Sequence, residues 1–484
     1  MKIKFGTSGW RGIISDDITY PRVRIITQAI ADYLKQENLH NLPVVVGYDT
    51  RFLSEHFART AAGVLAANGL QALLCDRDTP TPVIAFEILR RKAAGAINIT
   101  ASHNPYDYSG LKYSSQEGGP ALPEITQRIE MACDGYLAAS HLPKTAQEAV
   151  GVKQKLIVPI DPQPYYFKHL ERLVDMRALR RGKSKIVVDS LWGAGRGYTD
   201  EFLKKCGCQV VSLHTDRDVL FGGGVPNPIP ETLGLMRQTM VKQRAQIGLG
   251  TDCDADRFGI MDEDGSILSP NELLPLMLDH VVKTRQWKGI VVRSVMTSHF
   301  FDAVARKHGL ELQETAVGFK YIGDIMAREN SVYPSKEGNF ILGGEESGGV
   351  SIRGHVPEKD GVLACLLAAE MVAVNKKSLR KQLQALQKEV GTFYSQRLNF
   401  HLTPEKMIDL KEKLRESPPT KFKHFNVRRI VETDGHKFIL TDGSWLGIRL
   451  SGTEPVVRIY LETDSPAKVK ALEQAGRQLA GLTA

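Results

Sequence analysis

The chain has 484 residues, 42% of them hydrophobic and 24% charged, with a formal net charge of +8 and a sequence pI near 9.0. That length exceeds one hydrophobic core and predicts about three domains, or four, while the composition excludes a disordered chain. The basic balance favours anionic ligands without choosing among phosphates, nucleic acid and acidic lipid.

The amino terminus, MKIKFGTSGWRG, has no apolar run, so no secretion signal is expected. From Pro43 onward, strand-like apolar runs alternate with amphipathic stretches, the pattern of a layered α/β protein. Residues 44–49 read as a strand, 56–67 as a helix, 71–76 as a strand, 82–92 as a helix and 95–100 as a strand. A polar, proline-containing stretch over 141–164 interrupts the alternation. It restarts with strand 185–189, helix 198–205, strand 209–214, helix 231–243 and a strand from 246. A third round runs through helix 271–284, strand 289–295, helix 300–307, strand 311–317 and a strand closing at Glu345. Helices over 362–374 and 379–390 lead to a tail with strands near 396–402, 428–432 and 438–441, a helix over 404–415 and a last helix from Pro466. A smaller α+β domain fits that tail. The longest apolar stretch, 361–374, is too short to span a bilayer and contains Glu370, so no membrane insertion is expected.

Each of the three α/β rounds ends in a loop beyond a strand, where open α/β sheets place ligands. This order of elements hints at internal repetition. The first loop is Thr100-Ala-Ser-His-Asn-Pro105. Its Ser102 is either a turn residue ahead of Asn-Pro or a covalent phosphate carrier, with His103 adjacent and Lys112 available to neutralise charge. The second, Asp252-Cys-Asp-Ala-Asp-Arg257, alternates carboxylates at Asp252, Asp254 and Asp256, so an extended loop can turn all three toward one hard cation, with a purely structural acidic turn as the alternative. An EF-hand is excluded because Arg257 stands where that loop needs glycine and the flanks read as strands. Arg257 adds a forked donor for a phosphate. The third, Gly344-Glu-Glu-Ser-Gly-Gly349, lets backbone approach a ligand closely and offers acceptors for sugar hydroxyls, although taken alone a glycine-rich turn with solvated acids is the better reading.

Near the end, Arg449-Leu-Ser-Gly-Thr-Glu-Pro-Val-Val-Arg458 combines guanidiniums, hydroxyls and a glycine as an anion cradle, without the ending of a P-loop. At the start, Gly6-Thr-Ser-Gly-Trp-Arg-Gly12 offers Arg11 to phosphate, while Trp10 reads as a packing residue. Lys320 is expected just past a strand, with a surface lysine as the default reading. The six cysteines contain no CxxC pair and suit a reducing compartment; Cys206 and Cys208 lack the companions a zinc site needs. The basic run 177–185 has no interleaved aromatics, so a solvated face is expected rather than a nucleic-acid surface. A cytoplasmic protein with no membrane or nucleic-acid partner is expected.

In their order from Gly6 to Arg458, these motifs resemble the α-D-phosphohexomutases, the phosphoglucomutases and phosphomannomutases, over essentially the whole chain. The resemblance implies three related mixed α/β domains plus a smaller C-terminal α+β domain around a central cleft. It divides the chain into 1–150 with a phosphoserine loop, 151–257 with a metal loop, 258–376 with a sugar-binding loop and 392–484 with a phosphate-binding loop. By the same resemblance, Ser102 is the phosphoserine, and Asp252, Asp254 and Asp256 hold one Mg2+ with the serine phosphate completing the site. Glu345 and Ser347 would hold sugar hydroxyls, and Arg449, Ser451, Gly452, Thr453 and Arg458 would clamp the non-reacting phosphate. Arg11, Lys112, Arg257 and Lys320 would line the cleft, with the general base left among His103, Lys112 and Lys320.

The activity implied interconverts hexose 1-phosphate and hexose 6-phosphate through a hexose 1,6-bisphosphate, which also acts as activator. Gly349 stands where mannose/glucose and glucosamine relatives carry histidine, and Glu346 where glucosamine mutases tend to carry glutamine, so the chain leans toward glucose. Mannose or glucosamine mutases, a glucose-1,6-bisphosphate synthase, a serine-dependent phosphatase and a non-catalytic sugar-phosphate sensor are the rival readings. The oligomeric state is left open.

Overall fold

The computed structural model of the chain describes residues 2–6, 9–139, 142–335, 337–450 and 455–482. It forms two compact units, one of residues 1–269, 318–343 and 347–381, the other of residues 270–317, 344–346 and 382–484.

In the first unit, six strands make one sheet: β1 (Trp10–Ile13), β2 (Val44–Tyr48), β3 (Ala72–Cys75), β4 (Gly95–Ile99), β5 (Tyr108–Ser115) and β6 (Ile157–Ile160). Their order is β1-β5-β4-β2-β3-β6, with β2 parallel to both β3 and β4 and with β5 antiparallel to β4. Val44, Val45 and Val46 are wholly buried because a central parallel strand is covered on both faces. Helices Tyr20–Gln36 and Ser54–Ala67 bury Ile26, Ile30, Phe57 and Leu65 against this sheet in one core.

A second sheet holds β7 (Lys185–Asp189), β8 (Gln209–Leu213), β9 (Ile247–Thr251), β10 (Phe258–Asp262) and β11 (Ile267–Leu268), in the order β11-β10-β9-β7-β8. Here β7 is parallel to β8 and β9, and β10 is antiparallel to β9. The two sheets thus repeat one plan, β2, β3, β4 and β5 matching β7, β8, β9 and β10. The Ser102 loop joins β4 to β5 and the aspartate loop joins β9 to β10, so both motifs occupy the same place in the plan. The internal repetition expected from element order is visible here.

The polar stretch after residue 141 contains helix Glu148–Lys153 and β6, which pairs in parallel with β3 from Ala72↔Ile157 to Cys75↔Ile160. The β9–β10 hairpin around the aspartate loop has a register running from Phe258↔Thr251 to Asp262↔Ile247.

The apolar stretch forms helix Gly361–Asn375, buried almost all round and packed on β9, β10 and helix Met176–Gly182. Its Glu370 is accommodated because Oε2 accepts from the Asp175 backbone N–H at 2.8 Å. Among the described residues no helix is long and apolar enough to cross a membrane. The six cysteines are buried free thiols.

In the second unit, β12 (Ile290–Ser294) pairs in parallel with β13 (Glu311–Thr315), as β2 does with β3. Farther along the chain, β14 (Phe340–Glu345) leads through residues 346–348 into β15 (Gly349–Ile352), so the third motif joins two consecutive strands as the first two do. The tail forms an antiparallel sheet of β16 (Tyr394–His401), β17 (Lys421–Phe422), β18 (Phe425–Val431), β19 (His436–Leu440), β20 (Trp445–Leu450) and β21 (Val456–Thr463). Its order is β16-β21-β20-β19-β18-β17, and helices Pro404–Glu416 and Pro466–Leu479 bury Leu410, Leu414 and Leu472 in its core. This is the smaller α+β domain expected from the sequence.

Candidate active site

Ser102 follows β4 with φ of 52°, a left-handed conformation that an ordinary residue keeps only where its surroundings over-determine it. Its N–H donates to Thr100 Oγ1 at 2.9 Å, and its hydroxyl donates to Asp252 Oδ2 at 2.7 Å. His103 Nδ1 stands 3.4 Å from the same hydroxyl. The serine is wholly buried.

Asp252, Asp254 and Asp256 offer one oxygen each within 4.8 Å of one another, and all three are buried. Three carboxylates out of water require compensating charge. Lys112, on β5, supplies it: Nζ lies 2.6 Å from Asp254 Oδ2 and 2.8 Å from Asp256 Oδ2. Lys359 Nζ adds a contact at 3.1 Å to Asp256 Oδ2, and Arg257 Nε lies 3.9 Å from Asp256 Oδ1. Thr81 donates to Asp254 Oδ2 at 2.5 Å, while the Arg257 backbone N–H donates to Asp252 Oδ1 at 3.0 Å.

The cations divide the triad electrostatically. Burial and the charges of Asp254 and Asp256 push the Asp252 carboxyl well above the usual carboxylate range. Burial also opposes ionisation of Asp256, but Lys112, Lys359 and Arg257 outweigh it and hold that group well below its usual value. For Asp254, burial and Asp256 are outweighed by Lys112 and the hydrogen bonds of Lys112 and Thr81, and the net shift is downward. Burial, then the positive charges of Arg257 and Arg11, drives His103 well below the ordinary histidine value, so its imidazole is neutral at pH 7.

Asp254 Oδ1 and Asp256 Oδ1 are buried with no hydrogen-bond partner among the described residues. Oxygen-only donors of this kind suit magnesium or calcium, and the set fits one hard divalent ion.

The first unit therefore brings together Ser102, His103, Lys112, the three aspartates and Arg257, with Arg11 reaching the Ser102 loop through Nη1 to Asn104 Oδ1 at 2.9 Å. Lys320 follows β13, as expected, and lies in the first turn of helix Phe319–Arg328, its Nζ 5.3 Å from the centre of the Tyr321 ring.

Of the other predicted residues, Ser347 belongs to the first unit and Glu345 to the second. In the second unit Arg449 and Arg458 are cross-strand partners on β20 and β21. Arg449 Nε donates to Asp434 Oδ1 at 2.9 Å, and Asp434 Oδ2 also accepts from the Val317 N–H at 3.1 Å. Neighbouring Glu346 accepts from Ser294 Oγ at 2.6 Å. Ser451, Gly452 and Thr453 lie outside the described residues.

Sequence reasoning missed Lys359 and Thr81. The segment Glu358-Lys359-Asp360-Gly361 carried a local sign only of a helix start, with Asp360 capping through the Leu363 N–H at 2.8 Å.

Family models match most of the chain. Domains I, II and III of phosphoglucomutase/phosphomannomutase, each described as alpha/beta/alpha, match residues 2–141, 164–265 and 269–390, and the C-terminal domain matches 372–478. A phosphoglucomutase from Komagataeibacter xylinus is 30% identical over 98% of this chain and 89% of its own. The chain belongs to the phosphoglucomutase/phosphomannomutase family. A relative from Methanothermobacter thermautotrophicus, named as a phosphoglucosamine mutase, is 29% identical over 98% of this chain and 96% of its own. A structure from Thermus thermophilus, described as a phosphomannomutase, superposes with a TM-score of 0.82 at 30% identity, covering 99% of both chains. As a member of this family the chain is a mutase, an isomerase built as three α/β domains and a C-terminal domain. The relatives are named for three different sugars.

Proposed function

We propose that this phosphohexomutase interconverts glucose 1-phosphate and glucose 6-phosphate through a phosphoserine at Ser102 and glucose 1,6-bisphosphate. The observation that carries the reading is the buried Ser102 hydroxyl, 2.7 Å from Asp252 Oδ2, in a carboxylate cluster bridged by Lys112. A turn-forming serine needs no such surroundings.

In the forward half, a sugar hydroxyl oxygen bonds to the phosphorus on Ser102 as the P–Oγ bond breaks; the hydroxyl proton passes to a base and the departing Oγ takes up a proton. The sugar turns over, and in the second half Ser102 Oγ gives up that proton and bonds to the other phosphorus while the sugar oxygen leaves and is protonated. The serine proton then has a neutral acceptor at hand in His103 Nδ1, 3.4 Å away. Lys112, fixed between two carboxylates, and Arg257 keep positive charge beside the transferred group. Asp252, Asp254 and Asp256 would hold Mg2+, which when bound offsets charge on a phosphoryl group in transfer.

Glu345 and Ser347 are assigned to the sugar hydroxyls. Arg449, Ser451, Gly452, Thr453 and Arg458 are assigned to the non-reacting phosphate, and Arg11 and Lys320 to the cleft wall. Glu346 and Gly349 support glucose as the preferred hexose. Buried thiols suit a cytoplasmic enzyme.

The test supplies glucose 1-phosphate, Mg2+ and a trace of glucose 1,6-bisphosphate. Formation of glucose 6-phosphate without stoichiometric inorganic phosphate is expected. Phosphate release with no isomer would make the chain a phosphatase instead.

A further inference from the structure

We propose that Arg51, held by Asp49, is a positioning residue that fixes the Ser102 loop for phosphoryl transfer and couples it to the aspartate hairpin. The inference rests on Ser102 as the phosphoryl carrier. Arg51 acts through the backbone rather than by touching the reacting atoms.

The side chain is wholly buried. Its Nη1 donates to the carbonyls of Pro105 at 2.6 Å and Tyr108 at 3.0 Å, and its Nη2 to those of Ser102 at 2.5 Å and Asn104 at 2.6 Å. One guanidinium thus satisfies four carbonyls of a single seven-residue loop, Ser102 to Tyr108. A planar fork of rigid donors makes that possible, whereas the three tetrahedral donors of an ammonium cannot reach four carbonyls at once. Fixing this loop has a purpose, because Ser102 is left-handed and relaxes unless its neighbours hold it.

The other side of Arg51 faces the aspartates. Nε forms an ion pair with Asp49 Oδ2 at 3.2 Å, and that oxygen accepts a hydrogen bond from the Cys253 thiol at 3.4 Å. Cys253 stands between Asp252 and Asp254, so the Asp49–Arg51 pair joins both loops of the candidate site. Asp49 is fixed in turn: Oδ1 accepts from the Arg51 N–H at 3.0 Å and from Ser54 Oγ at 2.7 Å. The guanidinium carbon sits 5.2 Å from the centre of the Phe221 ring, and Arg217 caps the segment through the carbonyls of Thr50 and Arg51 at 3.0 and 3.1 Å. Burying an ion pair is a poor route to stability, since well-packed apolar residues often serve as well. Geometry of the Ser102 loop is what this pair provides.

The test compares wild type with Arg51→Lys and Arg51→Ala by steady-state kinetics, thermal melting and hydrogen exchange. Misplacement of a reacting group by about 1 Å costs on the order of 100-fold, so Arg51→Lys is expected to lower kcat by about that factor with KM within about threefold. Faster amide exchange confined to residues 102–108 is expected in the same variant, and added guanidinium ion should restore part of kcat in Arg51→Ala. Wild-type kcat in Arg51→Lys, or exchange over 102–108 equal to wild type, would overturn the proposal. So would activity losses in both variants that merely follow the fraction unfolded. The exchange measurement reads the loop directly, so it decides on Arg51 even if Ser102→Ala proves active and the phosphoserine reading fails.

Discussion

Ser102 and Asp252, 150 residues apart, meet through a 2.7 Å hydrogen bond with both side chains buried. The loop after β4 and the loop after β9 occupy equivalent places in two sheets of the same plan. Lys112 on β5 and Thr81 add further links between them, both reaching Asp254 Oδ2, at 2.6 and 2.5 Å.

On the proposed mechanism Ser102→Ala removes the oxygen that would store the phosphoryl group, together with one buried hydrogen bond whose loss costs about 1–3 kcal/mol by leaving Asp252 Oδ2 short of a donor. Turnover of glucose 1-phosphate is expected to vanish while circular dichroism and a cooperative melt persist. Activity near wild type in the folded variant would contradict the assignment.

Asp254→Asn replaces a carboxylate held by Lys112 at 2.6 Å and Thr81 at 2.5 Å, and it removes a charge a hard cation needs. The Mg2+ concentration for half-maximal activity is expected to rise by at least about 10-fold, since a divalent oxygen site is tuned by its ligand charge count. An unchanged Mg2+ titration would rule out this ion site.

The sequence showed the strand-helix alternation well where an element carried its own periodicity. β7 (Lys185–Asp189) and helix Leu379–Val390 coincide with their expected bounds. Helix Tyr20–Gln36 went unread even though Thr19 caps it and Pro21 opens it. β1, β5, β20 and β21 also went unread. β1 is a four-residue edge strand, and β5 mixes serines and Lys112 into a buried run, so neither shows a clear alternation. Ser102, the three aspartates and Arg257 were legible as local motifs. Arg51 and Lys359 were not, because each acts on a partner far along the chain, Lys359 on Asp256 and Arg51 on the carbonyls after Ser102.

Asp434 orients Arg449 at 2.9 Å and takes the Val317 N–H with its other oxygen. Its negative charge also keeps the Arg449 guanidinium firmly protonated against burial. If Arg449 clamps the non-reacting phosphate, Arg449→Met should raise KM for glucose 1-phosphate by about 10- to 100-fold, the loss of charge-assisted hydrogen bonds worth about 1.5–3 kcal/mol. A KM equal to wild type would move the clamp elsewhere.

Lys437 sets a pH dependence of stability. It is buried against Trp445, its Nζ 4.0 Å from the ring centre and donating to the Val295 carbonyl at 2.6 Å. Burial, then the charge of Arg293, lowers its pKa from the ordinary lysine value to about 7. Between about pH 7 and the ordinary lysine value near 10.4, the unfolded chain binds a proton that the folded one does not, so stability rises with pH through that window. Below pH 7 the penalty of charging the buried amine is fully present. Lys437→Met is therefore expected to flatten the melting temperature between pH 6.5 and 9.5, and a pH slope unchanged from wild type would contradict this.

The most direct test follows the phosphoryl group itself. Enzyme exposed to phosphorus-labelled glucose 1,6-bisphosphate and quenched during turnover should yield one labelled peptide containing Ser102, and the label should be absent in Ser102→Ala. Label on any other residue, or an active enzyme that never acquires label, would contradict the account.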